Sequence, residues 1–286
     1  MRTAVLASVA MFAFAANSLL CRAALRGGAI DAASFTAIRL ATGALVLVVL
    51  AARRGSARRA GSWLSAVALA AYAIAFSYAY LQLGAASGAL ILFGAVQLTM
   101  MVGGLVRGER PAAIQWVGWL LALGGLVVIN APGLDPPPAG GAALMIAAGI
   151  AWGVYSLRGR GITRPLETTA GNFLRALPIA AVLVGIALAG GARVSISGVA
   201  LGAASGGIAS GLGYSVWYAV VPALGATRAA AVQLSVPVIA ALAAITLLGE
   251  PFRPTLAIGG AAILCGLALA LRVRVEHDRP VARSTA

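Results

Sequence analysis

Ten apolar stretches, each close to the length needed to cross a bilayer, alternate with short polar connections along the chain. They fall at about 3 to 25, 31 to 51, 62 to 83, 85 to 107, 112 to 131, 139 to 158, 168 to 190, 197 to 219, 225 to 248 and 254 to 272. A hydrocarbon core roughly 30 Å thick takes about 20 helical residues. The pattern therefore predicts an all-α polytopic membrane protein with ten transmembrane helices in one bundle. The first stretch reads as a span and not as a cleaved signal: it is too long, it carries Asn17, and Ser18-Leu19-Leu20-Cys21 lacks the small residue a lipoprotein site needs before the cysteine. The tail from Arg274 to Ala286 is polar and predicted to be disordered.

The pattern is also stated twice. Leu83 to Asn130, moved forward by 141 residues without a gap, falls on Leu224 to Leu271 with 10 of 48 positions identical. Gly108-Glu109 meets Gly249-Glu250, a lone polar pair between two apolar runs in the same place both times. An internal duplication accounts for this, dividing the chain into a five-helix repeat over 1–138, a second over 139–273, and a polar tail over 274–286. Arginines set the orientation, because the chain contains no lysine. With the N-terminus in the cytoplasm, the inner side collects 15 arginines and the outer side only Arg22, Arg26, Arg193 and Arg253. Both ends are then cytoplasmic, and the membrane is expected to be the bacterial inner membrane. Five spans per half is an odd number, so the second repeat enters from the opposite side and the two are inverted. Glu109 then lies in an inner loop and Glu250 in an outer one.

Composition agrees with this class. Of 286 residues, 61% are apolar and 10% charged, more apolar surface than a soluble chain of this size could cover. The net charge of +14 sits in short loops as a topology signal, and no basic tract with interleaved aromatics suggests nucleic acid. Cys21 and Cys265 lie in separate segments without motif spacing and read as small core residues, so no metal or cofactor is expected. Inverted halves can exchange conformations around a site near the midplane, which opens to one side and then the other. The leading expectation is an alternating-access transporter of a small molecule within the lipid bilayer, as a monomer or weak dimer; a static bundle or sensor is the bland alternative.

Several motifs carry a resemblance. They are Phe14-Ala15-Ala16-Asn17-Ser18 in the first span and Trp152-Gly153-Val154-Tyr155-Ser156 in the sixth, an arginine inside the second span of each half (Arg39 and Arg175), and Gly-Glu followed by Pro after the fourth (Gly108-Glu109-Arg110-Pro111 and Gly249-Glu250-Pro251). In this order and spacing the chain resembles the drug/metabolite transporter superfamily, in its EamA branch, over nearly its whole length. The resemblance implies a ten-helix basket with spans 1, 3, 4, 6, 8 and 9 around a central cavity and spans 5 and 10 towards the periphery. It implies export of amino acids or related metabolites, and the aromatics of the cavity spans make the chain similar to the aromatic amino-acid exporters of that branch. Phe14 departs from the Trp often found at its position.

Polar side chains inside spans are costly in lipid and should face the bundle interior. Asn17, Gln97, Gln233 and Ser235 are the leading uncharged candidates for substrate binding, with Thr99, Ser205 and Ser210 behind them; interhelical hydrogen bonding is the other reading. Among aromatics, Tyr72, Phe76 and Tyr80 share one face of span 3 with Tyr78 nearly opposite. Tyr78, Trp152, Tyr155 and Tyr214 are expected to line the cavity, and Tyr80, Trp217 and Tyr218 to anchor span ends at the interface. Pro178 and Pro237 are expected to break spans 7 and 9, Pro237 as a hinge beside Gln233 and Ser235.

Inversion suggests two gates, Arg39 with Glu250 at the outer mouth and Arg175 with Glu109 at the inner; snorkelling arginines and helix-capping glutamates are the alternative. All seven acidic residues fall in loops, span ends or the tail, and the single histidine, His277, is in the tail. No carboxylate or imidazole sits at mid-membrane to bind a proton, so facilitated export down the substrate gradient, or coupling of an unusual kind, is expected. The same absence removes the dyads and metal clusters an intramembrane enzyme needs. The runner-up is a multidrug or cationic-compound exporter of the same superfamily.

Overall fold

In lipid every backbone N–H and C=O must be paired within the chain, and these Ala- and Leu-rich segments satisfy that as helices. A computed structural model of the protein describes residues 2–52, 59–83, 85–130, 138–248 and 254–272. The order is α1 (Arg2–Arg26), α2 (Ala32–Ala52), α3 (Trp63–Ala79), α4 (Ala85–Val106), α5 (Ala113–Asn130), α6 (Ala139–Arg158), α7 (Pro165–Ala189), α8 (Ile196–Ala204), a π-helical segment (Ser205–Leu212), α9 (Gly213–Gln233), α10 (Val236–Leu248) and α11 (Pro254–Arg272). Among the described residues, five helical stretches are long and apolar enough to cross a membrane: α1, α2, α6, α7 and the continuous run Ile196–Gln233. Shorter apolar helices accompany them, and the chain is a nearly all-helical, multi-pass membrane protein.

Helix starts follow local chemistry. Asp31 caps α2, its carboxylate accepting the Ser34 N–H at 2.8 Å and the Ser34 hydroxyl at 2.7 Å. The same carboxylate accepts the Arg193 N–H, and Ile30 pairs with Val194, tying the α1–α2 and α7–α8 connections together. Burial would raise the Asp31 pKa, but the Ser34 and Arg193 donors outweigh it and hold the carboxyl below its ordinary value. Ser62 and Ser195 cap α3 and α8 through bonds to the Ser65 and Gly198 N–H groups.

Packing pairs α2 with α7, α3 and α4 with α6, α1 with α8, α9 and α10, and α5 with α11. The last pair touches backbone to backbone. A Cβ on Gly118 would meet the Gly266 carbonyl oxygen at 2.5 Å, and one on Gly125 the Gly259 carbonyl oxygen at 2.5 Å. As α5 advances from 118 to 125, its partner retreats from 266 to 259, so the two helices are antiparallel.

Three irregularities interrupt the second part of the chain. The π segment holds Ser205, Gly206, Gly207, Ser210 and Gly211. Gly225 turns α9 with φ 73° and ψ 174°, a backbone that a residue with a Cβ rarely adopts. Between α9 and α10 the chain breaks at Leu234-Ser235, where Pro237 has no N–H to return to the Gln233 carbonyl. Pro178, expected to break its span, lies inside an α7 that continues through it. One helical turn can be lost to a proline while neighbouring turns hold the axis.

Candidate functional site

Helical spacing gathers the aromatic side chains. Tyr72 and Phe76 on α3, Trp152 and Tyr155 on α6, and Tyr214, Trp217 and Tyr218 on α9 each recur at three or four residues, so each set shares a face. These faces converge with Phe14 of α1 and Phe173 of α7. Trp152 lies 4.5 Å from Tyr214, 5.0 Å from Tyr72 and 5.1 Å from Phe14, measured between ring centroids. Tyr155 stacks on Tyr218 at 4.7 Å, and Phe14 meets Trp217 edge to face at 5.6 Å. The buried polar ends are partnered: Trp217 donates to the Ser156 hydroxyl at 3.0 Å and Tyr218 to the Tyr155 carbonyl at 2.9 Å.

A polar thread runs through these rings. The Asn17 side-chain oxygen accepts from Ser205 at 2.6 Å and more weakly from Ser210 at 3.4 Å, while its amide reaches the Tyr72 hydroxyl at 3.5 Å. Serines five residues apart would point about 140° away from each other on an α-helix. The π segment, bonded i to i+5, puts both on one face, and such wide turns are common at functional positions. Arg39 completes the thread. Only 1% exposed, it donates from Nε to the Ser210 hydroxyl at 2.8 Å and from one terminal nitrogen to the Tyr214 hydroxyl at 2.5 Å. Its guanidinium carbon lies 5.2 Å from the Tyr72 ring centroid and 5.6 Å from that of Phe76. The other terminal nitrogen, Nη1, has no hydrogen-bond partner.

Of the expected site residues, Asn17, Trp152, Tyr155 and Tyr214 come together here. Gln233 joins them through its side-chain oxygen, which accepts from the Trp152 indole N–H at 2.6 Å, and its amide rests on the Met100 sulfur. Gln97 is fully buried on α4 with neither amide atom hydrogen-bonded. Tyr78 stays half-buried outside the ring cluster: α3 turns its Tyr72–Phe76 face to α6, so these two take the place expected of Tyr78. Ser235 bonds the Val232 carbonyl at 2.8 Å and closes the helix break locally. Trp217 and Tyr218, expected at the interface, are wholly buried. Ser205 and Ser210, ranked behind the amides from sequence, and Arg39, expected at a gate, sit at the centre of the cluster.

Of the two expected gate pairings, only the inner one lies within the described residues, and it is not formed. Glu109 ion-pairs with Arg160 and not with Arg175. Its carboxylate also accepts the N–H groups of Ala226 at 3.0 Å and Thr227 at 3.1 Å, the first two residues beyond the Gly225 turn. A carboxylate is favoured there because a helix N-terminus leaves N–H groups without intrahelical partners. Arg175 donates instead to the carbonyls of Ala60 at 2.5 Å and Gly171 at 2.9 Å. Glu250 lies outside the described residues, and Pro237 is buried at the start of α10.

A multi-pass helical protein whose buried interior holds an aromatic and amide cluster, built from helices far apart in sequence, has the makings of a membrane transporter. The EamA-like transporter family matches residues 1–131 and again 139–272. The chain belongs to this family, a branch of the drug/metabolite transporter superfamily composed of transporters rather than enzymes. An uncharacterized protein of Pseudomonas aeruginosa is 54% identical over 276 residues, which cover 96% of each chain. A solved crystal structure, 20% identical, superimposes with a TM-score of 0.77 over 94% of this chain and 97% of that one, a likeness of fold alone.

Proposed function

We propose that the protein is an alternating-access exporter of small amphiphilic metabolites, with aromatic amino acids as its first substrates. The observation that carries the reading is an exchange symmetry in the packing. If α1 is swapped with α6, α2 with α7, α3 with Ile196 to Leu224, α4 with Ala226 to Leu248, and α5 with α11, every main contact maps onto another. The α3–α6 contact becomes α1 with α8 and α9, α4–α6 becomes α1 with α10, and α2–α7 and α5–α11 map onto themselves. The glycine contacts obey the same exchange: 118 with 266 becomes 259 with 125. Antiparallel pairing of equivalent helices fits an axis in the membrane plane, hence two inverted five-helix repeats over 1–138 and 139–273. The cluster draws Phe14, Arg39 and Tyr72 from one half and Trp152, Tyr155 and Tyr214 from the other, as a midplane site between repeats would.

Aromatic rings with N–H and O–H groups suit a planar apolar body carrying polar ends. The described carboxylates Asp31, Glu109 and Glu167 all sit at helix ends, which favours facilitated flux over proton coupling. On this reading the protein lies in the bacterial inner membrane with both termini cytoplasmic. The test is counterflow of radiolabelled L-phenylalanine in proteoliposomes holding the full chain, with and without a pH gradient. Saturable counterflow indifferent to the gradient is expected. Absence of saturable flux for phenylalanine, tyrosine and tryptophan would refute the substrate assignment, and strong acceleration by the gradient would refute the uncoupled mechanism. A multidrug exporter for cations is the second reading, and the buried positive charge of Arg39 counts against it.

A further inference from the structure

We propose that Arg39 anchors an anionic carboxylate on the transported molecule, with the surrounding rings receiving the planar apolar body attached to it. This rests on the transporter reading and sharpens it to a charge class. An isolated cation taken out of water is strongly disfavoured unless a counter-charge accompanies it. Arg39 is 1% exposed, yet the groups that hold it, the hydroxyls of Ser210 and Tyr214 with that of Tyr72 beside them, are neutral, and no acidic side chain among the described residues pairs with it. The protein thus keeps a full positive charge between its halves without neutralising it.

The orientation is as informative as the charge. Nε is held by Ser210, which the π segment places beneath it, and the Tyr72 and Phe76 rings lie beside the guanidinium. That leaves the edge formed by the two terminal nitrogens. One of them, Nη1, has no hydrogen-bond partner, and the other donates to the Tyr214 hydroxyl, which a stronger acceptor can displace. Two parallel N–H groups on that edge form the fork that matches a carboxylate's two oxygens. Tyr214 in turn contacts Trp152, Phe14 and Phe173, so a molecule held by its carboxylate would lay its remaining body among these rings. A cation would meet like charge at this point.

The test uses the purified full chain in lipid nanodiscs and three probes with one phenyl ring in common: L-phenylalanine, 3-phenylpropionate, which lacks the amine, and 2-phenylethylamine, which lacks the carboxylate. Binding is read by intrinsic tryptophan fluorescence and confirmed by ligand-induced thermal stabilisation. In the wild type, both carboxylates should bind about 10- to 100-fold more tightly than the amine, the scale of a charge-assisted bond. Arg39→Gln should bring the two carboxylates down to the amine's level, and Arg39→Lys should fall between because a point charge cannot form the fork. The wild-type ordering needs no variant, so a variant that misfolds does not leave the question open. An amine that binds as tightly as the acids, or a folded Arg39→Gln that binds the acids unchanged, overturns the Arg39 assignment while leaving the transporter reading intact. No binding by any of the three overturns the aromatic-metabolite reading and this inference with it.

Discussion

Glu109 offers the sharpest test of how the two segments of the chain are held together on one side. Its carboxylate carries an ion pair to Arg160 and accepts two backbone N–H bonds at 3.0 and 3.1 Å, fastening the end of α4 to the turn at Gly225 and to the α6–α7 connection. Glu109→Gln keeps the size and one acceptor oxygen but removes the charge. Hydrogen bonds to charged groups contribute roughly 1.5 to 3 kcal/mol each, about twice those between neutral groups. The pair is partly open, with side-chain exposures of 20% and 10%, so screening takes back part of the Coulomb gain. A loss of about 1 to 2 kcal/mol is therefore expected for Glu109→Gln, and more for Glu109→Ala, which also orphans the Ala226 and Thr227 N–H groups. Arg160→Met should cost less, because the two backbone bonds survive it. The assay is unfolding of the detergent-solubilised protein followed by tryptophan fluorescence, for the three single variants and the Glu109→Gln/Arg160→Met double. Because the partners touch, a coupling of about 0.5 to 3 kcal/mol should appear in the cycle. Strictly additive losses would refute the claim that Glu109 and Arg160 act as one latch, and an unchanged Glu109→Ala would refute the capping role as well.

Three further outcomes follow from other contacts. Gly118→Leu or Gly266→Leu would drive a side chain into a facing carbonyl that cannot yield, so folded yield should collapse, whereas Gly124→Ala, with open space at its Cβ, should be neutral or stabilising by up to about 1 kcal/mol; size-exclusion profiles compare them. Trp152→Phe strands the buried Gln233 oxygen and should cost about 1 to 3 kcal/mol, much of it recovered when Gln233→Leu is added, as thermal melts would register. Asp31 has a folded pKa below its ordinary value of about 4. Its cap is therefore fully effective above that ordinary value and is lost as pH falls through the lowered one. Asp31→Ala should then weaken the protein by about 1 kcal/mol at neutral pH, with the gap to wild type closing in acid melts below about pH 4.

Much of this protein follows from hydropathy alone. The expected runs 31 to 51, 139 to 158 and 254 to 272 match Ala32–Ala52, Ala139–Arg158 and Pro254–Arg272 to within a residue, because in lipid an unbroken apolar segment has no alternative to pairing its own backbone. The aromatic and amide residues of the interior were legible for the same reason: Asn17, Trp152, Tyr155, Tyr214 and Gln233 are too costly or too large to leave unpartnered. Which face of a helix turns inward was not legible, since hydropathy is nearly uniform around α3 and only its packing against α6 selects Tyr72 and Phe76 over Tyr78. Nor could the sequence assign charges to partners. Arg39 found Ser210 through a π turn that changes angular spacing without changing composition, and Glu109 found Arg160 and a helix end created by the positive-φ backbone of Gly225. Hydropathy fixes which segments can cross a bilayer; which side chains turn inward and which of them meet is decided by helix packing and by irregular backbone, and both depend on contacts made far along the chain.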